Sequence, residues 1–216
     1  MKKYTLTFSF MALLFAAMAS DAAYEKAMQK EVEKFLSAQS PEDFPKSAHA
    51  FARIGEMNQE EWLPQYYAAL SYANLGFMSQ EGLDKKDALF DQAKRYVEKA
   101  AGLSPSNSEI VALQGFIVMG QIAADPGSRG PSLSQQAMQT FGRAIDLDRN
   151  NPRALIMMAQ MELGMAQFFG QGPEKACGMA KASLELFAKE AESPEKQSLK
   201  PRWGKAMAEQ LLKSCQ

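Results

Sequence analysis

The chain has 216 residues and a mass of 23.8 kDa, enough for one domain with a sizeable core. Its 24 basic and 25 acidic residues nearly cancel, so nothing in the charge balance calls for nucleic acid or an anionic membrane surface. Hydrophobic residues at 46% and charged residues at 23% are the ordinary balance of a soluble globular protein.

The N-terminus reads as an export signal. Lys2 and Lys3 form a positive start, Tyr4 to Ala17 is apolar, and Ala17-Met18-Ala19 is a small-residue cleavage site. Residues 1–19 are therefore expected to be a signal peptide and 20–216 a single helical domain. The apolar stretch is short for a membrane span, and no Cys follows the cleavage site to carry a lipid. The expected location is periplasmic or secreted, with no stable membrane span after cleavage.

From there on the signals are helical. Ala, Met, Leu, Gln, Glu and Lys dominate, apolar residues recur at three and four, and alternating strand patterns are lacking. Ser40-Pro41, Asn151-Pro152, Gly172-Pro173 and Ser193-Pro194 mark helix starts, and Ser106 to Glu109 and Ser132 to Gln135 read as capping boxes. Pro64 and Pro201 are expected in first turns, because an interior proline costs about 3 kcal/mol. The helices predicted in chain order pair 22–38 with 42–57, 63–79 with 85–103, 107–124 with 133–148, and 152–169 with 173–191. A last helix over 201–214 carries Trp203, Met207 and Leu211 at four-residue spacing, a stripe that can close the end of a stack.

The stretches "AAGLSPSNSE" from Ala100 and "AIDLDRNNP" from Ala144 end one helix and cap the next in the same way. Here the chain resembles the tetratricopeptide repeat (TPR), a helix-turn-helix unit of about 34 residues. The family places a small residue, then an aromatic or apolar one, in its first helix, and Ala, an aromatic or apolar residue and Ala in its second. A proline commonly follows. In the first clear unit these are Ala69, Tyr72, Ala93, Val97, Ala100 and Pro105. In the second they are Gly115, Val118, Ala137, Phe141 and Ala144, with Arg149 in the proline's place. In the third the nearest matches are Ala159, Glu162, Ala176, Ala180 and Ser183, though Leu163 to Gly172 also resembles a Sel1-type repeat with Gly164 as the small residue. A weaker preceding helix offers Ser47, Phe51 and Ile54. The step from the last small position of one helix pair to the first of the next is 15 residues each time, at Ile54–Ala69, Ala100–Gly115 and Ala144–Ala159. The units depart from the family by insertions between their two helices, at "LGFMSQEGLD", "MGQIAADPGSRGPS" and "QFFGQGP". The resemblance implies an all-α, right-handed stack of helical hairpins, a TPR-like α-solenoid of about four pairs. Its clearest repeats span 63–191 and a capping helix follows at 201–214.

The resemblance also implies a concave face that binds another protein or peptide. Carried over, its lining is Leu63, Tyr66, Leu70 and Ala73; Glu109, Ala112, Phe116 and Met119; and Arg153, Ile156, Gln160 and Leu163. This groove is apolar and aromatic, suited to a peptide or helix, unless a terminal helix of the chain itself fills it. It lacks the Lys/Asn/Arg set with which some TPR proteins grip a C-terminal carboxylate, since Tyr66 and Leu70 stand there.

A second candidate is the loop surface, with Asp125 and Arg129 in "DPGSRGP" and Phe168 and Phe169 in the third insertion. Arg129 can present its guanidinium to an anion or bond to a neighbouring helix end. Cys177 and Cys215 can bridge in an oxidising compartment. Met157, Met161 and Met165 are spaced as a Cu(I) site would want but equally as core filler. His49 stands alone between alanines, and no catalytic or nucleotide-binding motif occurs. The expectation is a non-catalytic exported adaptor for another envelope protein, with no cofactor and no metal. The alternative is a small-molecule binding component of a transport or envelope system that uses the long loops.

Overall fold

The computed structural model describes residues 5–38, 40–192 and 199–215, with the backbone alone over 5–20. The described residues form nine helices and no strand. They are α1 (Thr5–Ser37), α2 (Asp43–Met57), α3 (Trp62–Met78), α4 (Leu83–Leu103), α5 (Ser108–Ala124), α6 (Pro126–Leu147), α7 (Pro152–Phe168), α8 (Glu174–Glu192) and α9 (Lys205–Lys213). The first residues of the expected signal peptide, 1–4, lie outside the described residues, as do Ser193 and Pro194. No described helix is long and apolar enough to cross a membrane.

Consecutive helices pack in antiparallel succession, and the odd-numbered helices also touch one another along the chain, α1 to α3, α3 to α5, α5 to α7 and α7 to α9. Among the described residues the even-numbered helices make no such contacts with each other. The odd helices are therefore the inner, concave row of a helical-repeat stack, and the even helices splay outside it.

The small residues of the repeat pattern set this spacing. Ala69, Ala93, Ala100, Ala137, Ala144, Ala159, Ala176 and Ala180 are all buried at 1% exposure or less. Gly115 is buried too, and a Cβ there would lie 2.5 Å from the Phe141 ring. In the third unit Ala159 takes the buried place, while Gly164 is exposed with open space around it. Adjacent units are also tied where their helix ends meet. Ser108 donates to the Ala144 carbonyl at 2.7 Å, Asn151 donates to the Ser108 hydroxyl at 2.9 Å, and Ser183 donates to the Pro152 carbonyl at 2.9 Å.

Three expectations about local structure are corrected. "DPGSRGP" is not a loop: α6 begins at Pro126 rather than 133, and Ser132 lies inside it instead of capping it. Asp125 caps it by accepting from the Ser128 N–H, Pro126 occupies the first turn, and Pro131 is tolerated one turn later. At Ser106-Asn107 the cap is Asn107, which accepts from the Glu109 N–H, while Ser106 adopts a positive φ. The last helix starts at Lys205, so Pro201 and Trp203 precede it, and Gly204 makes the entry at φ 102°. Only glycine takes that conformation at no steric cost.

Candidate functional site

The inner row carries the concave-face residues expected from the sequence. On α3, Tyr66, Leu70 and Ala73 are fully buried and Leu63 is half-buried. On α5, Phe116 is buried and Glu109 and Met119 are half-buried. On α7, Arg153 and Ile156 are buried and Gln160 and Leu163 are half-buried. Ala112 does not join them: it packs with Val111, Ala144 and Ala154 where α5, α6 and α7 meet, because a methyl group there lets the helices close.

A segment of the chain itself covers this face. Beyond α8, residues 199–204 run as a non-helical strap across the inner row before α9 begins. The Tyr67 hydroxyl on α3 lies 3.3 and 3.2 Å from the Leu199 and Lys200 carbonyls and donates to them. Trp203 donates its indole N–H to the Tyr66 hydroxyl at 2.8 Å, and its ring lies 5.3 Å from that of Phe116. Phe116 stacks in turn on Phe77 at 4.7 Å, so three aromatic rings from α3, α5 and the strap form one column.

Beneath Trp203 is a polar cluster. Arg153 donates from Nε to Glu109 at 2.7 Å, from both terminal nitrogens to Glu190 at 3.1 and 2.8 Å, and to the Trp203 carbonyl at 3.4 Å. The Tyr66 hydroxyl stands 3.4 Å from the same Glu109 carboxylate. Helices α3, α5, α7 and α8 and the strap thus meet at one guanidinium. Burial pushes the Glu109 carboxyl up, against the opposing pull of Arg153. Burial pulls Arg153 down, but Glu109 and Glu190 more than offset it and the guanidinium stays charged. Burial also raises Tyr66, which keeps its phenol neutral, as a donor to Glu109 and acceptor from Trp203.

Cys177 and Cys215 are joined in a disulfide that fastens the end of α9 to α8. The loop-surface residues are not gathered into one site. Arg129 is engaged by both oxygens of Asp87 at 2.6 Å and by the Gln121 carbonyl at 3.2 Å, so it braces α6 against α4 and α5 and presents no free guanidinium. Asp125 is the α6 cap. Phe168 and Phe169, at the end of α7, are exposed at 82% and 63% and pack edge to face on each other. Met157 and Met161 lie in the core and only Met165 reaches the surface, so the thioether stripe does not form an open donor set. His49 is exposed on α2. Among the described residues no group of His, Cys, Asp and Glu is arranged to hold a metal ion.

Trp203, Tyr67 and Glu190 are the residues that sequence reasoning did not assign to this face. Trp203 was expected on the last helix with Met207 and Leu211; instead it reaches back from the strap to α3 and α5. The Gly204 break between Trp203 and Met207 was the available signal.

No family model matches the chain, and no curated protein does either. Among solved structures, the chain is similar to the HusA haemophore from Porphyromonas gingivalis, with a TM-score of 0.78 and 27% identity over 89% of this chain and 92% of that one. A much looser likeness, with a TM-score of 0.42 and 14% identity over 80% of this chain and 86% of that chain, is to MamA.

Proposed function

We propose that this protein is an exported, non-catalytic haem-binding protein, a helical-repeat carrier rather than an adaptor that grips a peptide in its groove. The observation that carries the reading is the likeness to a haemophore along nearly the whole of both chains. The residues present fit the group. Haem is a flat, apolar ring system with a ferric centre, and the concave face offers stacked aromatic rings and buried phenols of Tyr66 and Tyr67. Phenolate oxygen is a known haem ligand type. The strap covers this face, so haem and a peptide alike enter only where residues 199–204 give way, and it is the likeness to a haemophore that favours haem. Export is supported by the signal-like N-terminus and by the disulfide, which persists in oxidising compartments.

Titration of the purified, oxidised protein with ferric haem tests the reading. Saturable binding with a shifted Soret band is expected. A spectrum equal to that of haem in buffer at every ratio would sink it.

A second reading keeps a protein partner, at a different place. Phe168 and Phe169 are large, exposed and without a packing role in the core, and such a pair on a rigid scaffold suits an interface with another envelope protein. Crosslinking from position 168 in cells tests it, and a clean absence of intermolecular products counts against it.

A further inference from the structure

The repeat register makes the outer face of the stack comparable from unit to unit. Helices α3, α5 and α7 each floor a groove between the even helices before and after, which among the described residues do not touch each other. Over α3 the groove is closed by rings: Tyr72 stacks on Tyr96 at 5.7 Å with an interplanar angle of 11°. Over α7 it is closed by Met138, Met158 and Met179, which pack on the core, and by the ion pair of Lys175 with Glu162 at 2.6 Å.

Over α5 the groove stays open. Val118 and Thr140 follow Gly115 and Ala137 just as Tyr72 and Tyr96 follow Ala69 and Ala93, so the two stacked rings are missing here. A cavity of about 230 Å³ lies in their place. Its floor is apolar, with Val97 and Ile117 buried at 1% and 3% exposure. Its walls are polar where the groove over α3 has alanine or leucine. Gln114 stands at the register of Ala68, Gln121 at that of Leu75, and Lys94 and Glu98 at those of Ala48 and Ala52. Gln136 and Thr140 complete the rim. The side chains of Lys94, Glu98, Gln114, Gln121 and Gln136 make no hydrogen bond or ion pair among the described residues. The Thr140 hydroxyl donates to the Gln136 carbonyl at 2.8 Å, which leaves its oxygen free to accept.

We propose that this groove is a second binding site, independent of the haem reading, for a small zwitterion with an apolar side chain, in chemical class a free amino acid. Each part of the lining has a counterpart in such a ligand. Lys94 and Glu98, one turn apart on α4 and not paired with each other, offer one partner for a carboxylate and one for an ammonium. Together they carry no net charge, which suits a ligand that carries none. The three carboxamides and the Thr140 oxygen donate and accept around those two groups. Val97, Ile117 and Val118 receive the apolar side chain. The cavity is smaller than the roughly 300–1,000 Å³ of sites for drug-sized ligands. A porphyrin or a long peptide is therefore too large for it.

The test titrates the full-length oxidised protein with L-leucine, 4-methylpentanoate and isopentylamine, which share one side chain and differ in charged groups, and follows backbone amide shifts by NMR. L-Leucine is expected to give saturable shifts in residues 94–98, 114–121 and 136–140, with a Kd at or below about 1 mM. The two analogues are expected to bind about tenfold or more weakly. Lys94→Gln and Glu98→Gln should each weaken leucine about tenfold, and Lys94→Gln should also abolish the preference for leucine over isopentylamine. Val118→Tyr combined with Thr140→Tyr restores the ring pair of the preceding unit and should abolish binding, with a thermal midpoint at or above the parent's. If the parent gives no saturable shift with L-leucine, the site is overturned. Equal affinity for all three probes would overturn the zwitterion. Undiminished binding in the folded double-tyrosine variant would place leucine elsewhere and also overturn the site. If that variant does not fold, the two Gln variants decide, and unchanged leucine affinity in both is the overturning result.

Discussion

Arg129 and Asp87 meet in a two-pronged ion pair, each terminal guanidinium nitrogen 2.6 Å from one carboxylate oxygen. The pair joins the first turns of α6 to the first turns of α4, and it explains how a segment with two glycines and an interior proline becomes helical. Arg129→Ala is expected to cost about 1 kcal/mol, the upper end for a partly exposed pair. It should also raise amide exchange over 126–131. The hydrogen bonds from Arg129 hold the Asp87 carboxyl below its ordinary range. A depressed folded pKa contributes stability that is present above the unfolded value near pH 4 and lost as pH falls through the folded one. Denaturation midpoints of parent and variant should therefore converge in acid. A constant gap across that window would show that the pair contributes by packing and not by charge.

The repeat was legible because it rests on local rules. Small residues at fixed places, helix-stop turns and N-caps are each written within a few residues, so the register from Ala69 to Ser183 could be read along the chain. What could not be read depends on topology. "DPGSRGP" has the composition of a turn, and beside its local Asp125 cap the helix is braced by Asp87, 42 residues earlier. Trp203 sits 137 residues from Tyr66, and nothing in "SLKPRWGKA" shows that the chain crosses three helices at that point. Glu190 sits at an ordinary solvent-facing place of its helix until the stack brings Arg153 to it. Filling of the face by the chain's own end was among the expectations, but by a terminal helix, and nothing local to the sequence marks the non-helical strap and Trp203 that cover it.

Gly115 is expected to be irreplaceable where Gly142 is not. An added Cβ at Gly115 would stand 2.5 and 2.7 Å from two atoms of the Phe141 ring, which is itself fully buried and cannot yield. Gly115→Ala should cost about 1–3 kcal/mol through overpacking. At Gly142, in the middle of α6, the nearest atom to an added Cβ is the Met158 methyl at 3.8 Å, an ordinary contact. Gly142→Ala should stabilise by about 0.5–1 kcal/mol, since alanine restricts the unfolded chain and favours helix. Urea denaturation of the two variants gives opposite signs if the repeat's small position is set by ring packing. Equal and small effects would mean that the α5–α6 interface is looser than the structure has it.

The disulfide closes a loop over a sequence separation of 38, from the first turns of α8 to the end of α9, and the strap lies within that loop. A loop of that length contributes about 3–4 kcal/mol in the chain-entropy account. The nine-residue α9 is too short to be stable alone and depends on its packing against α8 and α7. Replacing both cysteines by serine should therefore lower the thermal midpoint and raise amide exchange in α9 first, with α3 to α6 changed least. The pattern matters more than the midpoint. Ala208 and Leu211 are buried against the stack, so packing alone could hold α9 in place. If exchange in α9 stays as slow in the double variant as in the parent, packing is sufficient and the bond adds only to the global free energy. If α9 and the strap exchange together while the repeats stay protected, the disulfide is what keeps the concave face covered.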